Sequence, residues 1–207
     1  MSEIQLQTER ELKLQLTQAQ WLTLRDDLGT PERIIEQTNT YFDTAARELK
    51  HTAALMVRIR QADQSFELTA KDRIEGESTG LLETRERTQS LDAETAQRLL
   101  QGELSLTALD LPLCIALAAE VGGDLLPIGA VQNTREVYRL LDGYIAEVDR
   151  TDFLGRRVDY EVEIELRTPA HSYDGARAML AMNTSLDCSS LVPSRSKYGR
   201  FLELSST

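Results

Sequence analysis

Apolar and polar residues alternate with a period of two along much of the chain. That alternation predicts strands at about 3–15, 54–61, 65–71, 81–88, 133–141, 144–150, 158–167 and 195–204. The clearest stretch is VDYEVEIELR, where Val158, Tyr160, Val162, Ile164 and Leu166 share one face and Asp159, Glu161, Glu163, Glu165 and Arg167 the other. Helical patterns fall between the strands. Thr17 is a candidate N-cap for AQWLTLRDDL, with Trp21, Leu22, Leu24 and Leu28 on an apolar face and Gly29 as the stop. Asp92 caps AETAQRLLQ ahead of Gly102, LCIALAAEV ends at Gly122 and Gly123, and Thr168-Pro169 opens a helix through AHSYDGARAMLAMN. The weakly patterned KDRIEGESTG, 71–80, reads as a loop between paired strands.

The polar faces carry unusual charge. In TERELKLQL, Glu9, Glu11, Lys13 and Gln15 oppose Arg10, Leu12, Leu14 and Leu16. In ALMVRIR, Met56, Arg58 and Arg60 share a face, and in SFELTAK, Glu67, Thr69 and Lys71 do. An antiparallel sheet with one wet face accounts for any single strand of this kind. It does not account for Glu161, Glu163 and Glu165 in a row, since like charges roughly 7 Å apart repel unless something positive sits among them. A divalent cation fits, and hard oxygen ligands suit Mg²⁺ or Mn²⁺. The opposite array of Arg58, Arg60 and Lys71 matches phosphate oxygens. Acids for metal and bases for phosphate on strand faces imply a sheet curled into a closed barrel with a polar interior. A faint repeat adds to this: ERELK, 9–13, and EIELR, 163–167, each precede a helix.

Composition narrows the setting. The net charge of −11 leaves no basic excess for nonspecific nucleic-acid binding. No apolar run approaches the roughly 20 residues that span a bilayer. The start, MSEIQLQTER, lacks the basic and apolar segments of a signal peptide. Cys114 and Cys188 fit no metal spacing or disulfide framework, which suits a reducing cytoplasm.

Taken in order, these motifs resemble the CYTH superfamily, the triphosphate tunnel metalloenzymes. Glu9, Glu11 and Lys13 match its Glu-x-Glu-x-Lys hallmark. YFDT at 41–44, VRIR at 57–60, LTAK at 68–71, NTRE at 133–136, EVD at 147–149, YEVEIEL at 160–166 and SKYGRFL at 196–202 resemble its later strands. GLLETRE at 80–86 is most similar to a small Firmicute branch often labelled adenylate cyclases. The likeness runs from about residue 3 to 202, so residues 1–207 are taken as a single domain. It implies an α+β fold: an antiparallel eight-stranded tunnel with helices packed outside, built by duplication of a strand–helix–strands unit.

The resemblance implies that Glu9, Glu11, Glu163 and Glu165 bind Mg²⁺ or Mn²⁺. It also implies that Lys13, Arg58, Arg60, Lys71, Arg135 and Lys197 hold a triphosphate, with Lys13 and Glu163 as catalytic candidates. Glu161 sits where many relatives have an aromatic, so which two of Glu161, Glu163 and Glu165 bind metal stays open. Asp149 reads either as a turn residue or as a metal-site acid. In ETRER only Glu83 is expected to keep an acid on the tunnel face, with Arg85 and Arg87 replacing others, which leaves the metal count open. The expected activity is cytoplasmic hydrolysis of a small triphosphate. A class IV-type adenylate cyclase and a non-catalytic polyphosphate or nucleotide binder are the alternatives. The apolar helices at 112–122 and 170–183 can pack on the barrel or on a second copy, so a homodimer stays open. Tyr41, Phe42 and Trp21 read as core, Asp43 as a cap or turn, Cys114 as a buried apolar group, Cys188 as a loop thiol, and His51 and His171 as surface residues.

Overall fold

A computed structural model of the chain describes residues 3–49, 55–75 and 81–205. His51 and residues 76–80 of the expected loop lie outside them. Nine strands form one sheet: β1 (Gln5–Leu16), β2 (Arg33–Asp43), β3 (Leu55–Ala62), β4 (Ser65–Glu75), β5 (Leu81–Leu91), β6 (Leu126–Arg139), β7 (Ile145–Asp152), β8 (Val158–Glu165) and β9 (Val192–Pro193). Their order is β5-β4-β3-β2-β6-β7-β8-β1-β9, and a further pairing of β5 with β1 closes an antiparallel barrel of eight strands. The two-residue β9 is an addition on β1. Among the described residues five α-helices lie outside: α1 (Gln18–Leu28), α2 (Ala93–Leu100), α3 (Pro112–Glu120), α4 (Tyr173–Asn183) and α5 (Lys197–Ser205). The fold is α+β, as expected.

Local chemistry explains the helix starts. Thr17 Oγ accepts from the Gln20 N–H while the Gln20 side chain accepts from the Thr17 N–H, a reciprocal cap that satisfies two otherwise orphan donors. Asp92 caps α2 through the Thr95 N–H. Four expectations about the elements need correction, the first being that residues 71–75 of the expected loop complete β4. Residues 33–43 form β2, which the alternation did not reveal. The helix expected from Thr168 starts instead at Tyr173, with Ser172 as the cap, because Ser172 Oγ takes the Gly175 N–H. Residues 197–205, expected in a strand, are helical; Arg200, Phe201 and Leu202 are buried together there.

The chain divides into two compact units. One comprises 1–8, 37–73 and 85–131; the other comprises 9–36, 74–84 and 132–207. The first has its own apolar core, with Phe42, Val57, Ile59 and Leu68 of the strands against Leu99 of α2 and Leu113, Cys114 and Leu117 of α3. The second packs Leu12, Leu14, Val148, Val162 and Ile164 against Leu24 of α1 and Ala176 and Leu180 of α4, with Trp21 at its margin. Tyr41 and Phe42 are buried, as expected for core, and Asp43 accepts the N–H groups of Thr44 and Leu49 as a turn residue. Cys188 is buried as well as Cys114. His171 is not at the surface: it is buried, stacked on Tyr144 at 4.0 Å between ring centroids.

Candidate functional site

The mixed charge on one face of β1 is resolved within the second unit. The two echo strands are antiparallel neighbours, with Glu11 opposite Glu165 and Lys13 opposite Glu163. Lys13 Nζ therefore lies 2.6 Å from Glu163 and 3.0 Å from Glu11. The polar face is buried as deeply as the apolar one: Glu11, Lys13, Asp149, Glu161 and Glu163 are all less than a tenth exposed. A charge withdrawn from water to this extent persists only where it is paired and hydrogen-bonded.

Pairing is dense. Arg135, cross-strand from Asp149, binds that carboxylate through Nε at 2.8 Å and Nη2 at 2.6 Å, reaches Glu163 at 2.5 Å and pairs with Glu147. Lys197, at the start of α5, donates to Asp149 at 2.7 Å and Glu163 at 2.8 Å and pairs with Glu161. One turn later Arg200 bridges Asp159 at 3.1 Å and Glu161 at 2.6 Å, and Ser194 Oγ donates to the same Glu161 oxygen at 2.7 Å. Burial alone would discharge Lys13 and Lys197. The surrounding carboxylates outweigh it and hold both above the ordinary lysine value. Burial likewise opposes the charge on Glu163, but Lys13, Lys197 and Arg135 bring it well below the usual carboxylate range. For Glu147 burial wins over Arg135, and its pKa is raised.

Asp149, Glu161 and Glu163 each offer an oxygen, and these oxygens lie within 4.8 Å of one another. This donor set suits a hard divalent cation. In this network the buried carboxylates Glu11, Glu147, Asp149, Asp159, Glu161 and Glu163 face Lys13, Arg135, Lys197 and Arg200, with Arg157 also on Asp159 at 2.9 Å. Of the other expected ligands, Glu9 accepts from Thr84 Oγ at 3.4 Å, and half-buried Glu165 pairs with Arg167; neither joins the three. The row of acids along β8 is thus relieved by side-chain cations, where the sequence alone suggested a metal.

In the first unit Arg58, Thr69 and Lys71 share a strand face. Arg58 is 3.6 Å and Lys71 3.9 Å from Glu86, which also accepts from Gln7 at 3.1 Å. Arg60 donates to Asn39 at 3.3 Å. Arg58 Nε and Thr69 Oγ are buried without a hydrogen-bond partner among the described residues. Here the expected face of β5 is corrected: Thr84, Glu86 and Thr88 are buried, Arg85 is exposed, and Arg87 pairs with Glu120 and Asp72. The acid missing from ETRER is therefore present one residue over, at Glu86.

The sequence reading also missed Glu147, Asp159, Ser194 and Arg200. Glu147 and Asp159 share the period-two faces of Asp149 and Glu161, a signal that was available. Asn133 was missed too: its Oδ1 takes the Thr151 hydroxyl at 2.7 Å, and its amide nitrogen is buried without a partner among the described residues.

Comparison with known proteins follows from this geometry. The family model described as CYTH domain matches residues 7–192. Among solved structures, HpAC1 from Hippeastrum is 25% identical, with 94% of this chain and 95% of that chain covered at a TM-score of 0.79. It is named as an adenylyl cyclase and described as having a dominant triphosphatase activity. A Bacillus halodurans protein provisionally named an adenylate cyclase is 26% identical, with 95% and 98% covered at 0.76. The PH1819 protein from Pyrococcus horikoshii, 20% identical with 96% and 99% covered at 0.53, shares the fold alone. A search of curated proteins gives no match. No helix among the described residues is long and apolar enough to cross a membrane.

Proposed function

The chain belongs to the CYTH domain family, and on that premise we propose that it is a cytoplasmic, metal-dependent triphosphatase releasing the terminal phosphate of an inorganic or organic triphosphate. The observation that carries this reading is the buried three-carboxylate cluster, whose oxygens converge within a ring of lysine and arginine side chains. A bound Mg²⁺ or Mn²⁺ supplies Lewis-acid withdrawal of charge from phosphate oxygens. Asp149, Glu161 and Glu163 hold it, with Glu11 beside Lys13 as a further acid of the same face. Lys13, Arg135 and Lys197 are cations that can turn from carboxylate to phosphate oxygens. Within the first unit, Arg58 and Lys71 stand on Glu86, and the unpaired Arg58 Nε and Thr69 Oγ supply donors that an anion would satisfy. Stabilising the spreading charge of in-line transfer is where such sites gain most of their rate. Glu163 orients Lys13 and Arg135 through its two oxygens, so its loss disturbs both cation positions.

The names of two similar structures favour a second reading, cyclisation of ATP to cyclic AMP with loss of pyrophosphate. One assay separates the two. Inorganic triphosphate and ATP are each incubated with Mg²⁺, Mn²⁺ or EDTA, and products are resolved for wild type and Glu163→Gln. Metal-dependent orthophosphate from triphosphate, lost in Glu163→Gln, is expected. Cyclic AMP with pyrophosphate from ATP would replace the hydrolase with the cyclase. Binding without either product would leave a polyphosphate or nucleotide binder.

A further inference from the structure

Lys197 opens α5 and places its ammonium against Asp149 at 2.7 Å, Glu163 at 2.8 Å and Glu161. These are the same three carboxylates whose oxygens converge. Among the described residues no other cation pairs with all three. Lys13 reaches only Glu163 of the set, Arg135 reaches Asp149 and Glu163, and Arg200 reaches Glu161. An ammonium at this point and a divalent ion bound by the same oxygens exclude one another, both by repulsion and by competition for lone pairs.

We propose that Lys197 is the resident cation of the three-carboxylate site, and that a divalent ion enters by exchanging with it, freeing the ammonium for an anionic phosphate. This rests on the reading of Asp149, Glu161 and Glu163 as the metal site. The arm can move while its helix stays. Lysine carries its charge on a flexible four-carbon stem. Arg200, one turn along and 3% exposed, keeps α5 docked through Asp159 and Glu161. The exchange also couples two ligands: a metal that releases Lys197 favours phosphate, and phosphate that captures Lys197 favours metal, by the same factor.

The test is Mn²⁺ binding to the metal-free protein without substrate, followed by electron paramagnetic resonance of free Mn²⁺. Lys197→Met is expected to bind Mn²⁺ on the order of tenfold more tightly than wild type, because a competing charge a few ångströms away is gone. Lys197→Arg, which keeps a resident cation, should bind no more tightly than wild type. Equal or weaker binding by Lys197→Met overturns the proposal. If circular dichroism shows that Lys197→Met is unfolded, wild type decides: amine acylation at Lys197, read by mass spectrometry, must rise on adding Mn²⁺, and unchanged labelling overturns the exchange. Absence of Mn²⁺ binding by both wild type and folded Lys197→Met overturns the metal-site reading itself, and this proposal with it.

Discussion

Arg135→Met removes the most connected cation of the buried network, and the structure indicates how its three acids would divide the loss. Asp149 keeps Lys197 at 2.7 Å, and Glu163 keeps Lys13 at 2.6 Å and Lys197 at 2.8 Å. Glu147 keeps no cation within ion-pair distance among the described residues, although it is only 6% exposed. Stranding one buried charge in this way costs about 3–5 kcal/mol. A proton limits the loss: burial already raises Glu147 to about 7, so neutralising it costs almost nothing at pH 7 and about 2 kcal/mol at pH 8.5. Because the folded-state pKa of the stranded acid is raised, stability is retained at low pH and falls as pH rises. Arg135→Met should therefore lose under about 1 kcal/mol from this source at pH 7 and about 2 kcal/mol at pH 8.5. Urea unfolding in EDTA, followed by the fluorescence of the single tryptophan, Trp21, reads the unit concerned. Adding Glu147→Gln should restore most of the loss. A deficit that does not grow by about 1 kcal/mol from pH 7 to pH 8.5, or a double variant no more stable than the single one at pH 8.5, would refute the reasoning.

Three further outcomes are expected. Leu154 sits exposed at φ 55° beside Gly155 at the β7–β8 turn, so Leu154→Asn should stabilise by about 0.5–1 kcal/mol in chemical denaturation, and a loss would contradict the strain. A Cβ on Gly175 would run into the Tyr144 hydroxyl, which already accepts the Ser172 N–H at 3.2 Å; Gly175→Ala should cost about 1–3 kcal/mol, and an unchanged melting temperature would show that Tyr144 yields freely. The Asp27 pKa is lowered by the Ser185 N–H and then by the Thr184 and Ser185 hydroxyls. Its contribution is present above the unfolded carboxyl pKa and lost as pH falls through the lower folded value, so Asp27→Asn should flatten the stability curve below pH of about 4; parallel curves would exclude it.

Much of the barrel was legible because one face of most strands is apolar. Where both faces are polar the period loses its sense of direction. In ETRERTQ charges alternate with threonines and a glutamate, and nothing local tells which set is inside; a shift of one residue exchanged Glu83 for Glu86. Residues 33–43 bury Gln37 and Asn39 while leaving Ile34 exposed, opposite to the pattern that marks a strand. Residues 197–205 are short enough that a helical period cannot be told from alternation. The acids of the site followed from spacing on β7 and β8. Arg200, Ser194 and the stack of His171 on Tyr144 depend on partners far along the chain, which no local pattern reports.

Lys13 lies in the first strand and Lys197 in the last helix, yet both reach Glu163. A chain emerging from the ribosome thus presents Asp149, Glu161 and Glu163 before the two cations of α5 have been made. Until residue 200 is free, Glu161 lacks both of its ion-pair partners and stays hydrated. Burial of the second unit's charged face is consequently a late event, dominated by contacts of long sequence separation and correspondingly slow.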